Sequence, residues 1–112
     1  MKLLVEVAGV VEAPPERVLG AVVRATGWRV DGDLVWAQGG WWYRGEYLVE
    51  PVAGGSRVVH RVFTVARSPV WTVALANRLF LGFGERTRAG VAELLARIGD
   101  ELDCVARLAE VT

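Results

Sequence analysis

Two neighbouring segments change between apolar and charged residues at every second position, and this pattern constrains the fold more than any other feature. Residues 41–50 and 57–67 both show this alternation, which is the period of a β-strand. The segment 53–56 between them has the sequence AGGS and supplies the glycines that favour a tight turn. The two segments therefore predict an antiparallel hairpin with one apolar, aromatic face and one charged face.

A loop made of all four residues 53–56 sets the register of this hairpin. It places Tyr47 opposite Val62 on the apolar face. It also places Val49 opposite His60 on the same face. The other face then brings opposite charges side by side, as a solvated face favours. Its charged residues are Arg44, Glu46, Glu50, Arg57, Arg61 and Arg67.

Two further turn signals precede this hairpin and predict an antiparallel meander. The sequence DGD at 31–33 separates residues 28–30 from residues 34–36, and two glycines at 39–40 separate the latter from the strand at 41–50. Short turn-prone segments between β-type segments indicate hairpins. Turns of these lengths place six large residues on one face, namely Trp28, Leu34, Trp36, Trp41, Tyr43 and Tyr47.

The N-terminal region predicts a strand followed by a helix. Residues 2–12 alternate, with Val5, Val7, Gly9 and Val11 on one face. The sequence APPE at 13–16 opens a helix, because proline is tolerated in a first turn and an acidic residue suits the N-terminal end of the helix dipole. Gly27 follows the last turn and is expected to end the helix.

The C-terminal region predicts a long amphipathic helix over residues 85–108. Its apolar residues recur every three or four positions, at Val91, Leu94, Leu95, Ile98, Leu102, Val105 and Leu108. A helix of about 20 residues is about 30 Å long and can cross a small sheet. The segment 70–83 before it fits a strand, a helix or both in turn. The chain is thus expected to be one α+β domain, 1–112, with an antiparallel meander of about five strands and a long C-terminal helix.

Composition excludes several classes of protein. Thirteen basic and thirteen acidic residues give a formal net charge of zero, so a bulk electrostatic hold on nucleic acid has no support. The chain has one cysteine and one histidine, so we expect no internal disulfide, no metal and no cofactor. Glu6 interrupts the N-terminal apolar residues early, and the apolar stretch 69–84 is too short to span a bilayer. We therefore expect a cytoplasmic protein without stable membrane insertion.

Two segments resemble the START/Bet v 1-like (SRPBCC) superfamily, of the polyketide cyclase/dehydrase and lipid-transport type. Residues 5–18, VEVAGVVEAPPERV, are similar to the family's opening strand and its Ala-Pro-Pro-Glu helix start. Residues 47–59, YLVEPVAGGSRVV, are similar to the family's Glu-Pro-x-x-Gly-Gly-Thr-x-Val hairpin. Family members commonly run longer, so the resemblance is to a shortened form. It implies a helix-grip fold, in which a curved sheet grips the long helix around an apolar cavity.

An aromatic surface of this kind could bind a hydrophobic or aromatic small molecule, or a lipid, between sheet and helix. The candidate ligand-binding residues are Trp28, Trp36, Trp41, Tyr43, Tyr47, His60, Val62, Thr64 and Leu95. The alternative is that these large rings only fill the core of a small domain.

His60 is the single histidine and the one candidate for catalysis. In a cavity it could act as a general base, with Tyr43 or Tyr47 orienting an enolisable polyketide-type substrate, as in a cyclase or dehydratase. The alternative is a packed histidine bonded to a neighbour. No serine or cysteine nucleophile is indicated, so binding without catalysis is the leading hypothesis.

Trp42 lies on the charged face, beside Leu48 and Phe63. An exposed aromatic cluster suggests a contact surface, either for a homodimer or for another protein. The chain could then be a protein-interaction module with a filled core. Alternatively, arginine side-chain stems cover these residues.

Overall fold

The computed structural model describes residues 2–39, 43–64 and 83–109. These residues form an α+β structure with six strands and two helices. In chain order the elements are β1 (Lys2–Val11), α1 (Pro15–Thr26), β2 (Arg29–Asp31), β3 (Leu34–Gly39), β4 (Tyr43–Val52), β5 (Gly55–Thr64), α2 (Phe83–Leu102) and β6 (Ala106–Leu108).

The six strands form one open antiparallel sheet in the order β2-β3-β4-β5-β1-β6. The predicted meander is confirmed for β2 to β5. The N-terminal strand then adds to β5, with Val7 opposite His60. Alternation in β1 is also as predicted, because Val7, Gly9 and Val11 are buried whereas Glu6 and Glu12 are exposed.

The β4–β5 hairpin has a shorter turn than the sequence predicted. Val52 pairs with Gly55, so only Ala53 and Gly54 lie in the turn. Gly54 has a φ of 82°, a conformation that glycine adopts without steric cost. Tyr47 therefore pairs with His60, and the predicted Tyr47–Val62 pair is wrong. Because the register differs by two residues, every side chain keeps its predicted face.

The β3–β4 connection changes the face of Trp36. In the structure, Gly39 pairs with Tyr43 and Trp36 pairs with Glu46. The two-residue turn predicted at 39–40 would instead have placed Trp36 on the face of Tyr43 and Tyr47. The register differs by an odd number of residues, and such a slip moves every side chain to the opposite face. Trp36 and Leu34 therefore lie on the charged face, and Val35 is buried opposite Tyr47.

Helix α1 has the predicted ends. A proline occupies the first turn of the helix. Gly27, with a φ of 67°, caps its C-terminal end. The Gly27 backbone N–H donates to the carbonyl of Val23 at 2.8 Å, which satisfies one of the carbonyls left free at a helix C-terminus.

The C-terminal helix is shorter than the predicted 85–108. It ends at Leu102, and Asp103 adopts a positive φ of 53°. The Cys104 N–H then donates to the Gly99 carbonyl at 3.0 Å, so Cys104 lies in a turn and not in the helix. The chain continues into β6, whose residues pair with the free edge of β1. Helical periodicity continues through residues 105–108 in the sequence, but the backbone hydrogen bonds available at that edge decide the structure.

Both helices contribute to one core with the uncharged face of the sheet, which we call the inner face. Leu95 of α2 lies directly over Gly9 of β1, where a Cβ would come within 2.5 Å of the leucine Cδ1. The fully buried residues of this core include Val11, Val18, Val22, Val35, Val58, Leu95 and Ile98. Within the described ranges, neither helix combines the length and apolar character that crossing a bilayer requires.

Candidate functional site

Three rings meet on the inner face of the sheet. The imidazole of His60 stacks on the phenol ring of Tyr47, with centroids 4.1 Å apart and planes inclined by 21°. The indole of Trp28 lies beside both, 5.5 Å from the Tyr47 ring and 6.3 Å from the His60 ring. Tyr47 and His60 meet because they are cross-strand partners, and Trp28 reaches them from the segment between α1 and β2.

Gly45 makes room for these rings. A Cβ at this position would lie 2.8 Å from Cη2 of Trp28 and 2.5 Å from Oη of Tyr43. Both groups therefore lie against the bare backbone of β4, which no other residue type allows without displacing them. Trp28, Tyr43, Tyr47 and His60, gathered around Gly45, are called the ring cluster below.

A backbone hydrogen bond fixes the protonation of His60. Its Nδ1 lies 2.9 Å from the carbonyl oxygen of Glu46, and a carbonyl can only accept. Nδ1 must therefore carry the hydrogen, and in the neutral ring the lone pair is on Nε2. Among the described residues no partner of Nε2 is found, and no fully buried side-chain nitrogen or oxygen lacks a partner. Within the described ranges, Nε2 is therefore the ring nitrogen left for a further hydrogen bond, although His60 as a whole is buried.

Burial keeps the ring cluster uncharged near neutral pH. Desolvation lowers the pKa of His60 below its ordinary 6.5, although the bond to the Glu46 carbonyl opposes this in part. Desolvation also raises the pKa of Tyr47 to about 12, with a smaller contribution from the neighbouring Tyr43 phenol. The pKa of Tyr43 is raised by burial as well. The phenols of Tyr43 and Tyr47 and the imidazole of His60 are thus neutral at this pH.

Several predicted site residues lie together. Trp28, Tyr43, Tyr47 and His60 form the ring cluster itself. Val62 is opposite Gly45 and Thr64 is opposite Tyr43, and both are buried on the inner face. The predicted common face is therefore confirmed for β4 and β5, because the observed register differs from the predicted one by an even number of residues.

Two other predicted residues, Trp36 and Leu95, do not join the cluster. Trp36 lies on the opposite face, for the reason given above. Leu95 is 1% exposed and packs over Gly9, two positions along β1 from the partner of His60, so it belongs to the helix–sheet core. Trp41 lies outside the described residues, as do Trp42 and the segment 65–82.

Sequence reasoning missed two parts of this site. Gly45 lies in the alternating segment 41–50, and a glycine among large strand residues is a signal that another group approaches the backbone closely. The carbonyl of Glu46 leaves no sequence signal, because backbone groups are the same at every position.

Neither a metal centre nor a match to a known protein adds evidence about the function. Within the described ranges, no group of three or more His, Cys, Asp or Glu side chains could hold a metal ion. No protein-family model, curated protein or solved structure is similar to this chain. The assignment of function therefore depends on the ring cluster.

Proposed function

We propose that this protein binds a small molecule with a flat or apolar body and one neutral hydrogen-bonding group, such as a carbonyl or hydroxyl, at the ring cluster. The observation that carries the proposal is the stacked His60–Tyr47 pair, whose imidazole has Nδ1 fixed by the Glu46 carbonyl and Nε2 without a partner among the described residues.

The chemistry of the cluster favours a neutral ligand. Small-molecule sites are mostly apolar, with a few polar groups that fix orientation. The indole of Trp28 and the faces of two tyrosines provide the apolar surface, and the hydroxyls and Nε2 provide the polar groups. A charged ligand would lose hydration without meeting an opposite charge in the cluster.

We further propose that the architecture is a shortened helix-grip of START/Bet v 1-like type, with the ligand between the sheet and α2. The order of strand, helix, antiparallel meander and long helix supports this, as does the core that α2 shares with β1. The strand β6 is not part of the predicted arrangement. A cytoplasmic location suits the free thiol of Cys104. We also propose a homodimer that forms through the face of Leu48 and Phe63.

Native mass spectrometry of protein taken directly from cells tests this proposal. We expect the wild type to carry a bound small molecule, and Trp28→Ala and Tyr47→Ala to lose it. Trp36→Ala is the matched control, because it removes an equally large indole from the opposite face. A wild type without adduct would contradict ligand binding and favour the protein-interaction module. Equal loss from the Trp36 variant would contradict binding at the ring cluster and place the ligand elsewhere. The same spectrum reports whether the chain forms a dimer.

A second candidate function is a cyclase- or dehydratase-like enzyme, which the tautomer of His60 favours. A neutral imidazole can take a proton from carbon on Nε2, while a tyrosine hydroxyl donates a hydrogen bond to the neighbouring carbonyl. His60→Gln separates the two functions, because its amide can still donate to Glu46. In His60→Gln, turnover of an enolisable ketone should be lost if His60 is a base. Ligand retention should persist in this variant whether the protein is an enzyme or only a binding protein.

A further inference from the structure

A concave surface lies at the edge of the sheet, where β3 extends past β2. Strand β2 pairs only with residues 34–36 of β3, so the end of β3 extends beyond Arg29. The resulting groove has a volume of about 490 Å³, within the usual range for small-molecule sites. We call it the edge groove, and its lining residues are Gly27, Trp28, Arg29, Trp36, Ala37 and Gln38.

The edge groove combines two indoles with a guanidinium group. The Arg29 guanidinium lies over the ring of Trp36, 5.3 Å from its centroid. Arg44 lies over the same ring at 4.4 Å, but its Nε is 2.8 Å from a carboxylate oxygen of Glu46. The charge of Arg44 is therefore neutralised locally, whereas that of Arg29 is not.

No carboxylate within the described ranges pairs with Arg29. The ion pairs there join Arg24 to Glu101, Arg44 to Glu46 and Arg61 to Glu6. Asp31 shares a side of β2 with Arg29 but forms no ion pair with it, and no acidic residue lines the groove. An exposed guanidinium beside flat aromatic surfaces is suited to a planar anion, because it can form two parallel hydrogen bonds to a carboxylate.

We propose that the edge groove is a separate binding site for a planar aromatic carboxylate. The carboxylate bonds to Arg29, and the aromatic body lies against Trp28 and Trp36. The site differs from the ring cluster in charge, because the cluster is buried and neutral whereas Arg29 is exposed and cationic. Trp28 forms a wall of both sites, but the acidic ligand needs neither Tyr47 nor His60.

Titration with 2-naphthoate, followed by ¹⁵N NMR of the indole N–H signals, tests this site. The signals are assigned from Trp28→Phe and Trp36→Phe. We expect 2-naphthoate to shift both signals in a saturable manner and to bind about tenfold more tightly than the neutral 2-naphthamide, since charge-assisted hydrogen bonds are the stronger kind. Equal affinity for the two probes, or no saturable shift with 2-naphthoate, would overturn the proposal.

Three variants locate the charge and separate this site from the ring cluster. Arg29→Gln should remove the preference for 2-naphthoate, whereas Arg57→Gln, at another exposed strand position, should leave it unchanged. Tyr47→Phe should not alter 2-naphthoate binding, even though it removes a hydroxyl from the ring cluster. A preference that survives in Arg29→Gln, or that Tyr47→Phe abolishes, shows that the carboxylate binds elsewhere.

Discussion

The imidazole of His60 is held between the ring of Tyr47, 4.1 Å away between centroids, and the carbonyl of Glu46, 2.9 Å from Nδ1. Stacking and the hydrogen bond together fix both the plane of the ring and its tautomer. Because Tyr47 and Glu46 are consecutive residues of β4, one short segment of strand orients the only histidine of the chain.

His60 should make stability depend on pH in mildly acidic solution. Its pKa in the folded protein is lowered from 6.5 by burial, so the unfolded chain binds a proton first as the pH falls. The contribution of neutral His60 is therefore complete above about pH 6.5 and is lost as the pH falls toward the folded-state pKa. Urea unfolding between pH 8 and 5 should show this loss in the wild type and a smaller one in His60→Phe, which keeps a ring but cannot titrate. Parallel curves for the two proteins would contradict a buried neutral histidine.

Tyr47 should have the opposite effect in alkaline solution. Its folded-state pKa of about 12 lies above the ordinary value of 10.0, so the folded protein holds its proton more tightly than the unfolded chain. The stabilisation is complete below about pH 10 and is lost as the pH rises through 12. Absorbance at 295 nm should show little tyrosinate in the folded protein at pH 10.5 and much more after unfolding in urea. Tyr47→Phe should reduce the change, and equal ionisation before and after unfolding would argue against burial of the phenols.

Gly45→Ala should disturb the ring cluster. The new methyl would meet Oη of Tyr43 and Cη2 of Trp28 at less than 3 Å, so both rings must move. We expect a loss of about 1–3 kcal/mol in the free energy of unfolding and a changed near-ultraviolet circular dichroism spectrum. Gly90→Ala is the control, because nothing lies within 4 Å of its Cβ position on the exposed side of α2, and it should gain about 0.5–1 kcal/mol. An unchanged spectrum in Gly45→Ala would mean that the rings do not lie against β4.

Ser56 should contribute to stability through a single hydrogen bond. Its Oγ donates to the Ala13 carbonyl at 2.7 Å, and the side chain is fully buried. Ser56→Ala leaves this carbonyl without its partner, which should cost about 1–3 kcal/mol in urea unfolding. Arg57→Ala, at the adjacent exposed position, should change stability by less than about 0.5 kcal/mol. Similar effects of the two substitutions would show that the bond to Ala13 does not hold β5 to the start of α1.

The sequence by itself determined the elements that depend on local periodicity. Alternation placed Tyr43 and Tyr47 on one face of β4, and His60 and Val62 on one face of β5, because successive side chains of a strand point to opposite faces wherever its partners lie. The start and end of α1 were equally local, since they depend on proline in the first turn and on the positive φ of Gly27.

Only the tertiary structure decided which residues meet. The lengths of the turns set the register of the strands. The observed β3–β4 register differs from the predicted one by an odd number of residues, so Trp36 lies on the face opposite to the predicted one, where it lines the edge groove. The C-terminal residues 106–108 left their helical pattern because β1 offers them backbone hydrogen bonds at its free edge. Periodicity is a property of one segment, whereas pairing depends on two segments that come together in space, so no single segment encodes the contact between His60 and Tyr47.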